Sequence, residues 1–432
     1  MRTIVVPIVI LLLAAPAAGA LLAPGALPPP LFPPDITDAE VLALLAASMG
    51  LQPTRLPIPL APPDADVGLL AQELGARADL HLTDVDIAAF RALHPLIAQP
   101  TATLILATLQ AWDVRDAAFV DWTMDDYALV EHQMSAGEPL AKVLTPDQME
   151  MLLTAAIMLS DTIESVVIPQ LEFAAQAGVW PPIAVADPVG VLRIGSSGND
   201  LETVDRIIQL DGRGNDVYKN NAGGAVITAA GPRVWPIAVS IDLAGDDMYE
   251  MTIVRPSQGG ARFGLGLLYD ISGDDDYRSR DDSAGSGGVG IGLFRDTSGN
   301  DRYRTGQNGY GAGIAGVGYL RDDQGNDAYH VGAISGGYGT TGGIGLFWDR
   351  AGTEEYGALF GSDTLWGWAQ LDGKGWFVEE TASQDSYLNL QNPSQAHPRA
   401  CNTCTWIGGD TPGGRGNDNH GGLAYLVARQ DP

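Results

Sequence analysis

Aspartates that recur at fixed spacing are the residues of this chain best suited to do chemistry. The pattern Asp-x-x-Gly-Asn/Asp-Asp-x-Tyr starts at Asp211, and its first aspartate returns at intervals of 31, 28, 26, 26 and 27 residues. These first aspartates are Asp211, Asp242, Asp270, Asp296, Asp322 and Asp349. The second aspartates are Asp216, Asp247, Asp301 and Asp327, with Asp276, or else its neighbour Asp275, in the third copy. Self-similarity at one period is the signature of a repeat protein.

A period of 26 to 28 residues that is rich in glycine predicts a β-solenoid. Helical repeats need about 33 residues or more and few glycines, and the leucine pattern of leucine-rich repeats is absent. Each copy holds three short strand-like runs, as in Gly290–Phe294, Asp301–Arg304 and Gly309–Ile314. Three strands and three turns close one coil of a parallel β-helix. Coils stacked about 4.8 Å apart turn each repeated position into a row.

The charge repulsion within two rows of stacked carboxylates would have to be offset by other groups. Unit charges about 4.8 Å apart repel by about 0.9 kcal/mol in water and by about 3.5 kcal/mol at an effective dielectric constant of 20. Backbone N–H groups of the turn could bind the carboxylates, or divalent cations could lie between coils. Calcium suits best, because it takes six to eight oxygen ligands. The candidate ligands are Asp211, Asp216, Asp242, Asp247, Asp270, Asp276, Asp296, Asp301, Asp322 and Asp327.

The sequence of the turn resembles the RTX calcium-binding repeat, Gly-Gly-x-Gly-x-Asp-x-apolar-x. The segments Gly212-Arg-Gly-Asn-Asp-Val-Tyr218 and Gly299-Asn-Asp-Arg-Tyr303 are close to it. The resemblance covers about eight residues in each copy, and an RTX repeat is itself only nine residues long. It implies that the second aspartates are calcium ligands and that the large residue after them points into the coil. Those large residues are Tyr218, Tyr249, Tyr303 and Tyr329.

A wider resemblance spans roughly residues 190 to 360. There the chain is similar to uncharacterised secreted bacterial or archaeal proteins built from Gly-Val-Gly-Leu-Leu-x-Asp-x-x-Gly-Asn-Asp-x-Tyr units. That resemblance implies export but no known activity.

Glycine also recurs four and six residues before the first aspartate of four consecutive copies. The residues between these glycines are apolar, so one face of the strand is filled and the other is nearly bare. Glycine in a strand marks the close approach of another group. The bare face is therefore either a docking surface, for the helical domain or for self-association with a partner chain, or a narrow interior. The glycines are Gly264, Gly266, Gly290, Gly292, Gly316, Gly318, Gly343 and Gly345.

The N-terminus predicts export. Arg2, the apolar run Ile4–Ala15 and the small residues Ala18-Gly19-Ala20 form a signal peptide over residues 1–20. An uncleaved anchor is the alternative, because apolar character continues past residue 20. A proline-rich linker follows at 21–34. We expect no membrane span after cleavage, and a secreted, extracellular or cell-surface protein.

A shift in composition divides the rest of the chain. Only seven of the 54 glycines precede residue 185, and apolar residues before it recur at three- and four-residue spacing. The sequence thus predicts an α+β multidomain protein, with an N-terminal α-helical domain at 35–185. A parallel β-helix, or β-solenoid, with coils of about 26–28 residues follows at 190–380. A C-terminal cap occupies 381–432.

The cap holds the two cysteines of the chain, Cys401 and Cys404. In an exported protein this Cys-x-x-Cys pair predicts a short disulfide. A zinc site that also uses His397 and His420 is the alternative. A thioredoxin-like redox pair would need a strand–helix context that this segment lacks.

The charge balance constrains the function. The formal net charge is −29, from 53 Asp and Glu against 24 Lys and Arg, which repels nucleic acid and attracts cations. The chain has no Gly-x-Ser-x-Gly, His-Glu-x-x-His or phosphate-loop motif. We therefore expect a calcium-stabilised, non-catalytic protein that binds glycan, a cell-envelope component or its own copies.

Two other functions stay open. One is a polysaccharide-active enzyme, a lyase or a glycoside hydrolase, on the β-helix scaffold, because paired carboxylates suit glycoside hydrolysis. The other is a helical effector that uses the solenoid as an export aid. The enzyme would use residues that break the rows, namely Asp274, Asp281, Asp282, Arg302, Arg304 and His330.

Overall fold

A computed structural model describes residues 32–33, 35–226, 235–358, 366–379, 386–389, 405–408 and 423–428. Within them the chain is a parallel β-solenoid preceded by a helical region, which confirms the predicted fold class. The signal peptide, most of the proline-rich linker, both cysteines, His397 and His420 lie outside the described residues, so the predictions made for them stay predictions.

The helical region owes several of its helix starts to threonine caps. Thr37, Thr83, Thr123 and Thr145 each accept a hydrogen bond from the backbone N–H three residues on, and the residue there caps in return. The helices are α1 (Asp38–Ser48), α2 (Val67–Arg77), α3 (Asp84–Arg91), α4 (Pro95–Ala118), α5 (Met124–Ala136), α6 (Pro146–Thr162) and α7 (Ile168–Gln176). A π-helical turn, Ile163–Val167, joins α6 to α7.

The continuous helix from Pro146 to Gln176 is long and apolar enough to cross a membrane by length and composition, and the bent pair α3–α4 passes the same test jointly. No membrane-spanning segment was expected after the signal peptide. The helix is apolar because it packs inside the protein: 67% of its apolar window is buried, including Leu152, Leu153 and Leu159. A helix that is apolar on most sides is typical of a buried core position.

Each coil of the solenoid contributes strands to three parallel sheets. Sheet 1 contains Leu192–Ile194, Ile208–Asp211, Ile237–Asp242, Leu265–Asp270, Ile291–Asp296, Val317–Asp322, Ile344–Asp349, Lys374–Glu379 and Leu423–Ala428. Two strands, Val185–Ala186 and Thr405–Gly408, pair antiparallel at its edges. Sheet 2 contains Leu201–Glu202, Val217–Tyr218, Met248–Glu250, Asp276–Arg278, Arg302–Arg304, Ala328–Val331, Glu355–Ala358 and Ser386–Asn389. Sheet 3 contains Ala225–Val226, Ala261–Arg262, Gly287–Gly288, Gly313–Ile314 and Gly339–Thr340.

The register of the sheets is the register of the repeat. The first aspartates from Asp211 to Asp349 are partners on neighbouring strands of sheet 1. The tyrosines from Tyr218 to Tyr356 are partners in sheet 2. Their rings stack inside the coil with centroids between 4.6 and 5.4 Å apart. The stacked rungs that the spacing predicted are therefore present.

The glycine-bearing face of sheet 1 is the interior of the coil. A Cβ at Gly292 would lie 2.0 Å from the carbonyl oxygen of Ser286, and one at Gly318 would lie 2.2 Å from that of Ala312. Only glycine lets the backbones approach this closely. Of the two alternatives that the glycine pattern left open, the structure shows the narrow interior. The glycine-rich face is therefore not free for the self-association that was expected through it.

The opposite face of sheet 1 docks the helical region. Its apolar side chains, such as Leu267, Leu293 and Val317, share one buried core with the helices. Polar contacts reinforce the junction: the hydroxyl of Tyr319 donates to Asp38 Oδ1 at 2.7 Å. The helical region thus covers sheet 1, while the outer residues of sheet 2 that flank each tyrosine include exposed arginines.

Candidate metal centre in the aspartate rows

The turn between sheets 1 and 2 brings the two aspartate rows together inside the coil. The first row ends each strand of sheet 1, and the second row lies two residues before each tyrosine. Together they form groups of three acids whose oxygens lie within 4.8 Å of one another and could hold a metal ion. The groups include Asp200/Asp211/Asp216, Asp216/Asp242/Asp247, Asp247/Asp270/Asp275, Asp275/Asp296/Asp301 and Asp301/Asp322/Asp327. Neighbouring groups share a second-row aspartate.

The third copy needs a correction, because the structure places Asp275 and not Asp276 in the second row. Side chains alternate along a strand, so the residue two before Tyr277 faces the interior with it, and the residue one before faces out. Asp275 is 1% exposed and belongs to two acid groups. The carboxylate of Asp276 instead forms an ion pair with Arg278 on the outer face.

Backbone groups compensate one oxygen of each second-row acid. The N–H of Asp247 donates to Asp275 Oδ1 at 2.6 Å, that of Asp275 to Asp301 Oδ1 at 2.6 Å, and that of Asp301 to Asp327 Oδ1 at 2.7 Å. Each carboxylate therefore binds the coil before it. The backbone-capping alternative is thus realised, but at a single oxygen of each acid.

Tyrosine hydroxyls compensate one oxygen of each first-row acid. Tyr249 donates to Asp270 Oδ2 at 2.7 Å, one coil further on. Tyr277 and Tyr303 repeat this contact to Asp296 and Asp322, both at 2.7 Å. Burial and the nearby carboxylates raise the pKa of these tyrosines well above their ordinary value, so the hydroxyls keep their protons. The sequence predicted the ring stack but not this donor role, whose signal was that every copy has Tyr and none has Phe.

The other oxygen of most of these acids has no hydrogen-bond partner. All of these atoms are buried, and a buried acceptor without a partner costs about 1–3 kcal/mol, or more when it is charged. They are Oδ1 of Asp270, Asp296, Asp322 and Asp349, and Oδ2 of Asp247, Asp301 and Asp327. A line of carboxylate oxygens without hydrogen-bond partners therefore runs along the rows.

Burial, followed by repulsion from neighbouring carboxylates, raises the pKa of these acids. The pKa of Asp247 is raised to about 8 and that of Asp301 to about 9. Burial raises the pKa of Asp270 and Asp322 to about 6, opposed by their tyrosine hydrogen bonds. A folded solenoid without cations would therefore retain protons in the rows at neutral pH. A proton and a dication are alternative ways to neutralise the same oxygens.

The first coil supplies a cation of its own, which the sequence analysis missed. The buried guanidinium of Arg193 contacts Asp200 at 2.6 Å, Glu202 at 3.0 Å and Asp211 at 2.8 Å. Among the described residues, no Lys or Arg forms an ion pair with the row acids between Asp242 and Asp327. Within the described residues up to Asp327, the rows thus take a positive charge from the chain only in the first group.

Replacing Arg193 with methionine should convert the first group into one like the others. We expect the unfolding free energy in EDTA at pH 8 to fall by about 3–5 kcal/mol, because buried carboxylates lose their partner. Millimolar calcium should recover part of that loss by entering the vacated position. Urea unfolding with and without calcium measures both values.

The control for that variant is Arg91→Met, which breaks the surface ion pair between Arg91 and Asp66. It should cost at most about 1 kcal/mol, and equally in calcium and EDTA. If Arg193→Met also lost the same amount in both conditions, the first acid group would be unable to accept a cation.

The residues considered for an enzyme lie on the outer face. Asp274 accepts the N–H of Asn300 at 2.8 Å in the outer turns, and Asp281 accepts the N–H of Gln307 at 2.8 Å. Asp282 forms an ion pair with Arg262. His330 Nε2 lies 2.9 Å from Glu355 Oε1. These acids are committed to structural contacts, while Arg302 and Arg304 are exposed on sheet 2.

No protein-family model, curated protein or solved structure matches this chain. The chemistry of the site is therefore inferred from its own geometry.

Proposed function

We propose that this chain is a secreted or cell-surface, non-catalytic binding or structural protein whose solenoid is stabilised by calcium ions in the aspartate rows. The observation that supports this most is the line of buried carboxylate oxygens without hydrogen-bond partners. Buried polar groups in folded proteins are nearly always satisfied. A row of such atoms, repeated coil after coil, points to a ligand that satisfies all of them.

Charge counting favours a dication. The four groups between Asp216 and Asp327 contain nine carboxylates, because neighbouring groups share an acid. Four dications would bring a charge of +8 against −9. The donors are all oxygens, which hard cations prefer, and the groups lack the thiolate and imidazole ligands that select zinc or copper. Calcium tolerates irregular geometry, whereas magnesium demands a near-ideal octahedron and keeps its waters.

The proposed export of the protein and the proposed binding of calcium are consistent with each other. Calcium sites of extracellular modules bind with dissociation constants of about 10⁻⁴–10⁻³ M, so such rows could fill outside the cell. The apolar run Ile4–Ala15, followed by small residues, supports export through a cleaved signal peptide. A solenoid rigidified in this way presents the exposed side of sheet 2 as a long, regular surface.

Fractionation of producing cells and an activity assay test this proposal. We expect the protein in the medium or on the cell surface, with its mature N-terminus near residue 21. On a panel of polysaccharides we expect no release of reducing ends or of unsaturated uronate. Retention inside the cell would overturn the proposed location, and catalytic cleavage of a glycan would replace the binding role with the enzyme alternative.

A further inference from the structure

Sheet 2 carries a cluster of arginines on its outer face. Arg278 and Arg304 are partners on neighbouring strands, which lie about 4.8 Å apart. Arg302 is two residues before Arg304 and Arg280 is two residues after Arg278, so alternation places all four on the outside. All four side chains are exposed.

Three of these arginines are without an acidic partner among the described residues. Arg278 forms an ion pair with Asp276, but neither Arg280, Arg302 nor Arg304 forms an ion pair or side-chain hydrogen bond there. The chain has 53 acidic residues against 24 basic ones, so partners are plentiful. Guanidinium groups that stay free in so acidic a protein are available to an external anion.

The arginines border a groove of about 590 Å³ that crosses neighbouring coils. Arg278, Arg280 and Arg304 line it, together with Gln307. Its acids are already engaged: Glu250 binds Lys219 at 2.9 Å, and Asp281 accepts the N–H of Gln307 at 2.8 Å. The volume is typical of a ligand cleft. Its lining carries three arginines against two acids, Glu250 and Asp281, so the net formal charge of the lining is positive.

We propose that this groove binds an acidic polysaccharide through its carboxylate or sulfate groups, an inference that rests on the proposed role as a binding protein. The planar fork of arginine donates paired hydrogen bonds to such oxyanions. Arginines on two neighbouring coils, Arg278 and Arg304, match a polymer that repeats its charge. The net charge of −29 repels polyanions elsewhere, which confines binding to this groove.

Nucleic acid is a poorer occupant for the same groove. Single strands bind where aromatic side chains stack on the bases, and the residues that line this groove include no aromatic ring. A sugar polymer with acidic substituents needs only the arginines and the neighbouring polar groups. Nucleic acid therefore enters the test as a competing outcome.

Binding is measured on the full mature chain in millimolar calcium, by fluorescence anisotropy with labelled short oligogalacturonides and labelled heparin oligosaccharides. The first probe carries only carboxylates and the second also carries sulfates, so the two arms separate the chemistries. Dextran oligosaccharides serve as the neutral control, and oligo(dT) serves as the nucleic-acid control. We expect binding of at least one acidic probe that weakens as salt is raised, and no binding of dextran.

The decisive variant is the double substitution Arg280→Gln/Arg304→Gln, which removes two exposed arginines that line the groove, with Arg55→Gln on the exposed surface of the helical region as the control. The double variant should bind the acidic probe at least tenfold more weakly, whereas the control should bind as the parent does. Equal binding by the double variant, no binding of either acidic probe, or tighter binding of oligo(dT) would overturn the proposal.

The calcium dependence of melting is recorded on the same variants, which keeps the two proposals separable. Arg280 and Arg304 lie outside the aspartate rows, so the double variant should keep the melting behaviour of the parent. Loss of calcium-dependent melting in the parent with intact glycan binding would defeat only the calcium proposal. Intact calcium dependence without glycan binding would defeat only the groove.

Discussion

In EDTA at pH 8 the mature protein should melt roughly 20 °C or more below its melting temperature in about 10 mM calcium, a concentration about 100-fold above a dissociation constant of about 10⁻⁴ M. At 100-fold excess over the dissociation constant, each occupied site adds about 2.7 kcal/mol. Four sites would add about 11 kcal/mol, and in a domain of this size 1 kcal/mol shifts the melting temperature by about 2–4 °C. The gap between the two conditions should shrink toward pH 5.

The pH dependence follows from the raised pKa values of the row acids. Burial raises the pKa of Asp270 to about 6 and that of Asp247 to about 8, against about 3.9 in an unfolded chain. Folding without calcium therefore takes up protons. The stability that these groups contribute is complete below about pH 4 and is lost as pH rises through 6 to 8. Calcium binds the ionised form, so it stabilises more at pH 8 than at pH 5.

Circular dichroism melting at several pH values, in EDTA, calcium and magnesium, measures this dependence. Without calcium the melting temperature should fall as pH rises from 5 to 8, and with calcium it should hold. Magnesium should give a smaller shift because it dehydrates reluctantly. Melting that is unchanged by EDTA at pH 8 would show that hydrogen bonds and protons alone stabilise the rows.

The second large effect should come from Asp301→Asn. Calcium should decide whether this substitution lowers or raises the free energy of unfolding. Asp301 belongs to two neighbouring groups, so its loss should weaken two sites and cost about 3–5 kcal/mol in millimolar calcium. In EDTA at pH 8 the same substitution should be neutral or stabilising, because it removes a buried acid that folding must otherwise protonate or leave charged in a crowded row. The amide oxygen of asparagine can still accept the N–H of Asp275, which preserves the backbone cap.

Asp274→Asn is the matched control, because Asp274 lies in the exposed outer turn of the neighbouring coil. Its effect should stay within about 0.5 kcal/mol in both conditions. Urea unfolding gives the four values. If Asp301→Asn were equally neutral in calcium and in EDTA, capping by backbone N–H groups would be the whole role of the second row.

Much of the fold could be predicted because a solenoid converts spacing into geometry. One recurring period set the strand register, so Asp242, Asp270 and Asp296 fell into one row and the tyrosines into another. The predicted stack of tyrosine rings inside the coil followed from the same repeat period. The sequence could not decide whether the glycine face is a docking surface or a narrow interior. The same glycine pattern is expected when a strand packs against a partner and when it packs against its own coil.

The details of the site depended only in part on contacts that spacing does not encode. Among the three consecutive acids Asp274 to Asp276, the inward-facing one is Asp275, which is also the one that keeps the five-residue step from the first aspartate. Stricter use of the spacing would therefore have identified it. Arg193 precedes the first full copy and lies in register with Gln209, Ser240 and Leu268. None of these is charged, so the repeat gave no sign of a cation at that position. The contact between Asp38 and Tyr319 spans 281 residues, and no local pattern announces it.

Equilibrium dialysis against millimolar calcium at pH 8, followed by elemental analysis, tests the central claim most directly. The protein should retain at least four calcium ions per chain, one in each of the four groups between Asp216 and Asp327, and Asp301→Asn should retain about two fewer. Fewer than one calcium ion per chain in the folded parent protein would contradict the claim that cations satisfy the buried carboxylates.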